Sequence, residues 1–257
     1  MINKHYTEKV LGNDLIASNT YFLRVTCDEE FIKWFRPGQF AHIEIPHAKE
    51  MLLRRPISIN FVDVLKKEVH FVYNAVGKGT NMLTLLQKGD MLDLLMPMGN
   101  GFLIKEEMKK IWLVGGGAGV APLKSLFVKF PDREYKAFLG FRSKDCVYQA
   151  HDFESFAQTF ITTDDGSYCT KGFCTNVLQN HLKEEKPDVI LACGPHVFFK
   201  SLAKTVGNVK TFVSLEQHMG CGTGGCSVCV CKVAGENKKV CMQGPVFDIR
   251  EVDSLYD

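Results

Sequence analysis

The stretch Ser214-Leu-Glu-Gln-His-Met-Gly-Cys-Gly-Thr-Gly-Gly-Cys-Ser-Val-Cys229, followed by Cys241, constrains this chain more than any other. Cys221, Cys226, Cys229 and Cys241 read C-x4-C-x2-C, then eleven residues, then the fourth thiol. That is the spacing of a plant-type [2Fe–2S] cluster with a shorter final gap. Glycines at 220, 222, 224 and 225 let the backbone curl and turn N–H groups inward. Four thiolates around two ferric ions and two sulfides are net negative, and reduction adds charge, so such donors are needed. Zinc and unligated thiols are the alternatives. A zinc site more often shows two C-x2-C knuckles, and this stretch has one. Cys231, separated from Cys229 by Val230 as on one face of a strand, reads as a bystander.

The 257 residues suggest two domains and a small third, and 46% hydrophobic content suffices for packed cores. A net charge of +2 points to neither a nucleic-acid surface nor an acidic tail. The start, Met1-Ile-Asn-Lys-His-Tyr6, has no apolar signal region, and the apolar runs are far short of a membrane span. Ten cysteines without an export signal fit a reducing cytoplasm, where thiols bind metal and disulfides are not expected.

Residues 6–100 read mostly as strands, at 20–26, 39–45, 57–62, 68–76 and 91–95, with turns at Pro37-Gly38 and Lys88-Gly89-Asp90. Short strands at such intervals predict an antiparallel barrel. A short helix interrupts them, with Thr80 as its N-cap and Met82, Leu83, Leu85 and Leu86 behind it. Arg54 and Arg55, beside Pro56, offer forked donors to a pyrophosphate, or form an ordinary basic strand edge. Gly77-Lys-Gly79-Thr80 at the helix start would add N–H groups to the same phosphate site.

From residue 103 the pattern changes to alternating strands and helices, which predicts a parallel sheet covered by helices. Ile111–Val114 runs into Gly115-Gly-Gly-Ala-Gly119-Val-Ala-Pro122, and then Leu123, Leu126, Phe127 and Phe130 fall on one helix face. Strand, glycine turn and helix form a nucleotide-phosphate arrangement, although Val120 departs from G-x-G-x-x-G. The loops 115–122, 140–143, 164–167 and 193–195 fall at expected strand ends, where such sheets bind ligands.

Pro37-Gly38-Gln39-Phe40, Arg55-Pro56-Ile57-Ser58, Gly79-Thr80 and Pro97-x-Gly99-x-Gly101 resemble the ferredoxin-reductase superfamily. The resemblance implies a β plus α/β fold: an N-terminal six-stranded antiparallel Greek-key β-barrel for FAD, a parallel-sheet nucleotide-binding domain for NAD, and a small C-terminal [2Fe–2S] domain. The corresponding divisions are 1–102, 103–213 and 214–257. It places Arg55 on the FAD pyrophosphate and Ser58 at the flavin edge, although position 57 is Ile rather than the usual aromatic. Val72, Tyr73 and Asn74 would lie along the FAD. In Cys193-Gly194-Pro195, Cys193 would lie near the nicotinamide and help place it for hydride transfer; read alone, it is a buried small residue. Arg142 and Ser143 stand where superfamily members read the adenosine ribose, which leaves NADP open.

NAD exchanges electron pairs and a [2Fe–2S] cluster exchanges single electrons, so a flavin between them is a chemical requirement. Three such segments describe a wire, whose far end a partner protein is expected to supply. Leu52-Leu-Arg-Arg-Pro-Ile-Ser-Ile59, Pro97-Met-Gly-Asn-Gly-Phe102, Asp165-Gly-Ser-Tyr-x-Thr-Lys-Gly172 and the cysteine segment with Gly244-Pro-Val-Phe247 resemble one family within the superfamily, the electron-transfer subunits of class 1B dihydroorotate dehydrogenases. The departures are Ala121 and Cys169. The resemblance implies a heterotetramer with two FMN-containing catalytic subunits, with electrons passing from dihydroorotate through FMN, cluster and FAD to NAD+ in pyrimidine synthesis. Competing readings are a similar FAD/[2Fe–2S] subunit serving another oxidoreductase, a free-standing NADH:acceptor reductase, and a zinc-stapled nucleotide-binding module.

Overall fold

A computed structural model describes residues 4–46 and 51–255. Its N-terminal part is built from β1 (Lys4–Ala17), β2 (Thr20–Thr26), β3 (Phe40–Ile43), β4 (Arg55–Asp63), β5 (Glu68–Asn74) and β6 (Met91–Met98). These strands close into an antiparallel barrel in the order β1-β2-β5-β4-β3-β6. Alternation turns Leu23, Val25, Ile43, Ile59, Phe71 and Leu94 into its core, where each is fully buried. Burial of each such side chain contributes roughly 1.5–3 kcal/mol. Register shifts at Val10/Gly12 and Leu15/Ala17 break the two-residue period of β1, so this long strand left no clear pattern in the sequence. A six-residue helix, Glu29–Trp34, was also missed; the Asp28 side chain caps it by accepting from Phe31 N at 2.7 Å.

The helix Lys78–Leu83 begins one residue after Gly77, which is its N-cap. The expectation that Thr80 caps it is therefore corrected. Thr80 lies in the first turn, and its hydroxyl accepts from the Val76 and Gly77 N–H groups at 3.1 and 3.0 Å. The side chain reaches back to the chain entering the helix instead of starting the helix itself.

The second part carries β7 (Lys110–Gly116), β8 (Glu134–Phe141), β9 (Gln158–Thr163), β10 (Thr170–Lys171), β11 (Val189–Cys193) and β12 (Thr211–Ser214). They form a parallel sheet in the order β10-β9-β8-β7-β11-β12. The chain runs outward from β7 to β10 and returns on the other side of β7. The switch point therefore lies between β7 and β11, where a crevice opens at the strands' carboxyl ends. Helices Cys174–Glu184 and His196–Val206 cover the sheet through Leu178, Leu182, Phe199 and Leu202.

The last segment makes a two-stranded ribbon, β13 (Val230–Val233) with β14 (Glu236–Lys239). It then returns through β15 (Val246–Asp248), which pairs antiparallel with β12 and becomes the seventh strand of the large sheet. Asn100 ties the barrel to this return: its N–H donates to Gly244 O at 2.8 Å and its amide to Gln243 O at 3.0 Å.

Candidate redox site

A cleft of about 500 Å³ opens where the three parts meet. The barrel contributes Pro56, Ile57, Ser58, Val72, Tyr73, Asn74 and Thr80; the sheet's glycine loop contributes Ala118; Ser214 to Met219 close the far wall. Of the residues singled out around FAD, all but Arg55 and Gly79 share this one cavity, and those two adjoin it through Pro56 and Thr80. Tyr73 is buried, stacks on Tyr21 with ring centres 5.6 Å apart, and donates its hydroxyl to Asn13 Oδ1 at 3.1 Å. Burial pushes its phenol up to about 12.

Arg55 and Gly79 form one corner of this region. A Cβ at Gly79 would lie 2.6 Å from Arg55 Nη2 and 2.7 Å from Cζ, so the helix start and the guanidinium are in direct apposition. A planar cation against a helix N-terminus fits a pyrophosphate. The paired-arginine reading narrows to one residue. Arg54 is held by ion pairs to Glu44 at 2.8 Å and Asp93 at 2.5 Å.

A second cavity, about 360 Å³, lies at the carboxyl ends of the sheet. Gly116, Gly117, Arg142, Asp164, Pro195 and Phe198 are among its walls. Gly115 packs on Val120, and Gly119 abuts the Cys193 carbonyl so closely that a methyl group there would overlap it. Gly194 leaves room for the Phe198 ring in the same way. Close approach of backbone to backbone is what these glycines provide. Cys193 is buried, and its thiol is held protonated by burial and then by the charge of Glu216. Arg142 and Asp164 face one cavity; burial and Asp165 push the Asp164 carboxyl up, and Arg142 pulls it down.

Glu216 was not foreseen. Glu216 lines the large cleft and keeps an exposed surface, yet the protein around its carboxyl desolvates it enough to raise its pKa. It belongs to no local motif, and only its position just before the cysteine loop could have drawn attention to it. His218 also lines this cleft. Cys174 lines the smaller one.

The four cysteines fall into two pairs. Cys221 and Cys226 share contacts: Cys221 N–H points to Cys226 Sγ at 3.3 Å, and Cys226 N–H points to Cys221 Sγ at 3.4 Å. Thr223 N–H also donates to Cys221 Sγ, at 3.4 Å. Cys241 N–H donates to Cys229 Sγ at 3.5 Å. The first pair reaches solvent and the second is buried. Among the described residues, no three His, Cys, Asp or Glu side chains converge on one point. Two cysteine pairs with inward N–H donors fit a binuclear cluster, one pair to each iron. Burial raises the Cys221 thiol pKa, but hydrogen bonds from Thr223 and Cys226 outweigh it and bring the thiol down to about 6, which favours the ligating thiolate. Cys241 is pushed up to about 12 by burial and then by neighbouring Cys229. Cys231 is half-buried on β13 and makes neither pair.

A closed antiparallel barrel, a doubly wound sheet and a four-cysteine segment, the first two meeting the approach to the third at one cleft, define a fold of the ferredoxin-reductase type. The family model described as the iron-sulfur cluster binding domain of dihydroorotate dehydrogenase B matches residues 216–253. The dihydroorotate dehydrogenase B (NAD(+)) electron transfer subunit of Bacillus caldolyticus is 40% identical over 251 residues, 95% of this chain and 96% of that protein. Its counterpart from Bacillus velezensis is 37% identical over the same shares. Among solved structures, an NADH-dependent reduced ferredoxin-NADP oxidoreductase superposes with a TM-score of 0.85 at 30% identity, covering 98% of this chain and 92% of that one. The Neisseria gonorrhoeae ferredoxin NADP+ reductase, solved with FAD and NADP bound, shares the fold at a TM-score of 0.65 and 15% identity, over 81% and 92% of the two chains. This chain belongs to the family of dihydroorotate dehydrogenase B (NAD(+)) electron transfer subunits. It is an oxidoreductase subunit that transfers electrons, and its last segment is an iron–sulfur binding domain.

Proposed function

We propose that this chain joins an FMN-containing dihydroorotate dehydrogenase catalytic subunit, two copies of each, and carries electrons from it through a [2Fe–2S] cluster and FAD to NAD+ in cytoplasmic pyrimidine synthesis. The observation that carries this reading is the shared cleft, bounded at once by the barrel, the glycine loop and the residues that lead into the cysteine loop. Bound FAD exchanges electron pairs with NAD and single electrons with the cluster. The chain's residues divide the work. Arg55, Gly79 and Thr80 hold the FAD pyrophosphate. Pro56, Ile57, Ser58, Val72, Tyr73 and Asn74 shape the flavin wall. Gly115, Gly116, Gly117 and Gly119, with Gly194 and Pro195, would seat the nicotinamide nucleotide, and Cys193, buried against Gly119, would help place the nicotinamide for hydride transfer. Cys221, Cys226, Cys229 and Cys241 hold the cluster. We assign 1–102, 103–213 and 214–257 to FAD, nucleotide and cluster, with β15 lent back to the middle sheet. No helix among the described residues is long and apolar enough to cross a membrane.

The likeness to the NADH-dependent ferredoxin-NADP oxidoreductase favours, as a second reading, a similar subunit serving another partner. Purification of the tagged chain from its own cells separates the two. The expected result is an FMN-bearing partner, with iron and acid-labile sulfide in equal amounts, and NAD+ reduction by dihydroorotate in the complex. A partner without FMN, or a complex inert to dihydroorotate, would support the second reading.

A further inference from the structure

His42 lies in β3 directly across from Pro56 of β4, the residue that opens the flavin wall. Its side chain is completely buried, and neither ring nitrogen has a hydrogen-bond partner among the described residues. A buried unpaired polar group carries its full desolvation penalty, so an imidazole at such a position calls for a partner. The ring edge that carries Nδ1 and Cε1 faces Gly222, where a Cβ would come within 2.8 Å of both atoms. Gly222 directly follows Cys221 and has φ +70, so the cysteine loop rests on this ring. Met98 closes the same contact, and Phe40 lies edge-on with its ring centre 6.0 Å away. Burial, and then the charge of Arg54, lowers the imidazole pKa to about 4, so at neutral pH the ring is uncharged with one N–H to give.

We propose that His42 is a positioning residue of the iron–sulfur centre, donating a ring N–H hydrogen bond to a sulfide of the cluster that the Cys221–Cys226 loop would hold beside it. The inference rests on assigning the cluster to Cys221, Cys226, Cys229 and Cys241. The donor belongs to the barrel and the acceptor to the cluster segment, so the bond both seats the loop against the flavin wall and stabilises the more negative, reduced cluster. Hydrogen bonds to cluster sulfur are one of the protein's means of setting the potential.

The test is an EPR-monitored redox titration of the full-length chain with its cofactors, after iron and acid-labile sulfide have been counted. His42→Leu removes the donor at similar bulk. We expect a fall of about tenfold in the cluster's one-electron reduction equilibrium, about 59 mV, with the FAD potential unmoved. His42→Gln keeps an N–H and should recover most of the loss. An unchanged potential in His42→Leu at full iron and sulfide content overturns the proposal, and so does an equal fall in both variants. Should His42→Leu assemble no cluster, the unmutated chain labelled with ¹⁵N-histidine decides by pulsed EPR. A histidine nitrogen coupling to the reduced cluster that survives His218→Asn supports the bond; no coupling, or one lost in His218→Asn, refutes it. Absence of sulfide from the unmutated chain would instead remove the cluster assignment itself.

Discussion

Gly79 is under two opposed demands. Within the first turn of its helix, alanine would be favoured over glycine by up to about 1 kcal/mol. Yet any Cβ would press on the Arg55 guanidinium, 2.6 Å from Nη2. Gly79→Ala should therefore leave the cofactor-free chain as stable as before, or slightly more so, and weaken FAD binding at least tenfold, about 1.4 kcal/mol. Flavin-fluorescence titration beside thermal unfolding reads both quantities, and unchanged FAD affinity would remove Arg55 and Gly79 from the phosphate site. Residues of this kind were legible because their chemistry is local. The cysteine spacing from Cys221 to Cys241, the arginine before a proline and the glycines at a helix start each carry their meaning within one short stretch of chain. Glu216 and His42 do not. Each matters through what long-range folding sets against it, and a lone Glu or His in a sequence has no such neighbours to show.

At the level of elements, the join between barrel and sheet depends on β4. Its register with β5 slips between Ile59 and Phe61, leaving Asn60 in the irregularity. Asn60 uses that freedom to reach across. Its Nδ2 donates to Ala121 O at 2.8 Å and to Gln149 Oε1 at 2.9 Å, and it accepts from Gln149 Nε2 at 3.0 Å. Asn60 is fully buried, so Asn60→Leu strands the Ala121 carbonyl and the Gln149 amide. The expected cost is about 1–3 kcal/mol, a fall of roughly 2–4 °C in Tm for each kcal/mol. Because Ala121 belongs to the glycine-loop turn, NADH-driven flavin reduction in stopped flow should slow several-fold while bound FAD is retained; an unaltered rate would make the latch purely structural. The same irregularities mark where elements escaped the sequence. β2 pairs with β5 in an unbroken register, and its bounds matched the expectation residue for residue. β1 carries two bulges and left no period. β15 was hidden for another reason, since three residues become a strand only because β12 offers an open edge.

For the whole molecule, the order of the stations follows from which cysteines reach the surface. Cys229 and Cys241 are buried in the core shared with the large sheet, whereas Cys226 is exposed and Cys221 partly so. The outer pair is therefore the end of the wire that a partner can approach, with exposed Val228 beside it. Removing a buried ligand would disturb packing as well as metal, so Cys226 is the cleaner probe. Cys226→Ser should lower electron transfer between the bound FAD and the proposed FMN-bearing partner at least a hundredfold. The smaller cavity and the Gly119–Cys193 contact, proposed above to seat the nicotinamide nucleotide, do not include Cys226, so NADH-driven reduction of FAD should stay within twofold of the unmutated rate. Both rates are read on one sample by stopped-flow absorbance, with FAD content measured first. Loss of NADH-driven reduction while FAD remains bound would mean that the cluster lies between nicotinamide and flavin, an order that the cleft's walls do not support. Retention of both rates would mean that electrons reach the partner directly from the flavin. The barrel's contribution to the cluster through His42 would then be structural only, and the four cysteines would be a staple rather than a terminal.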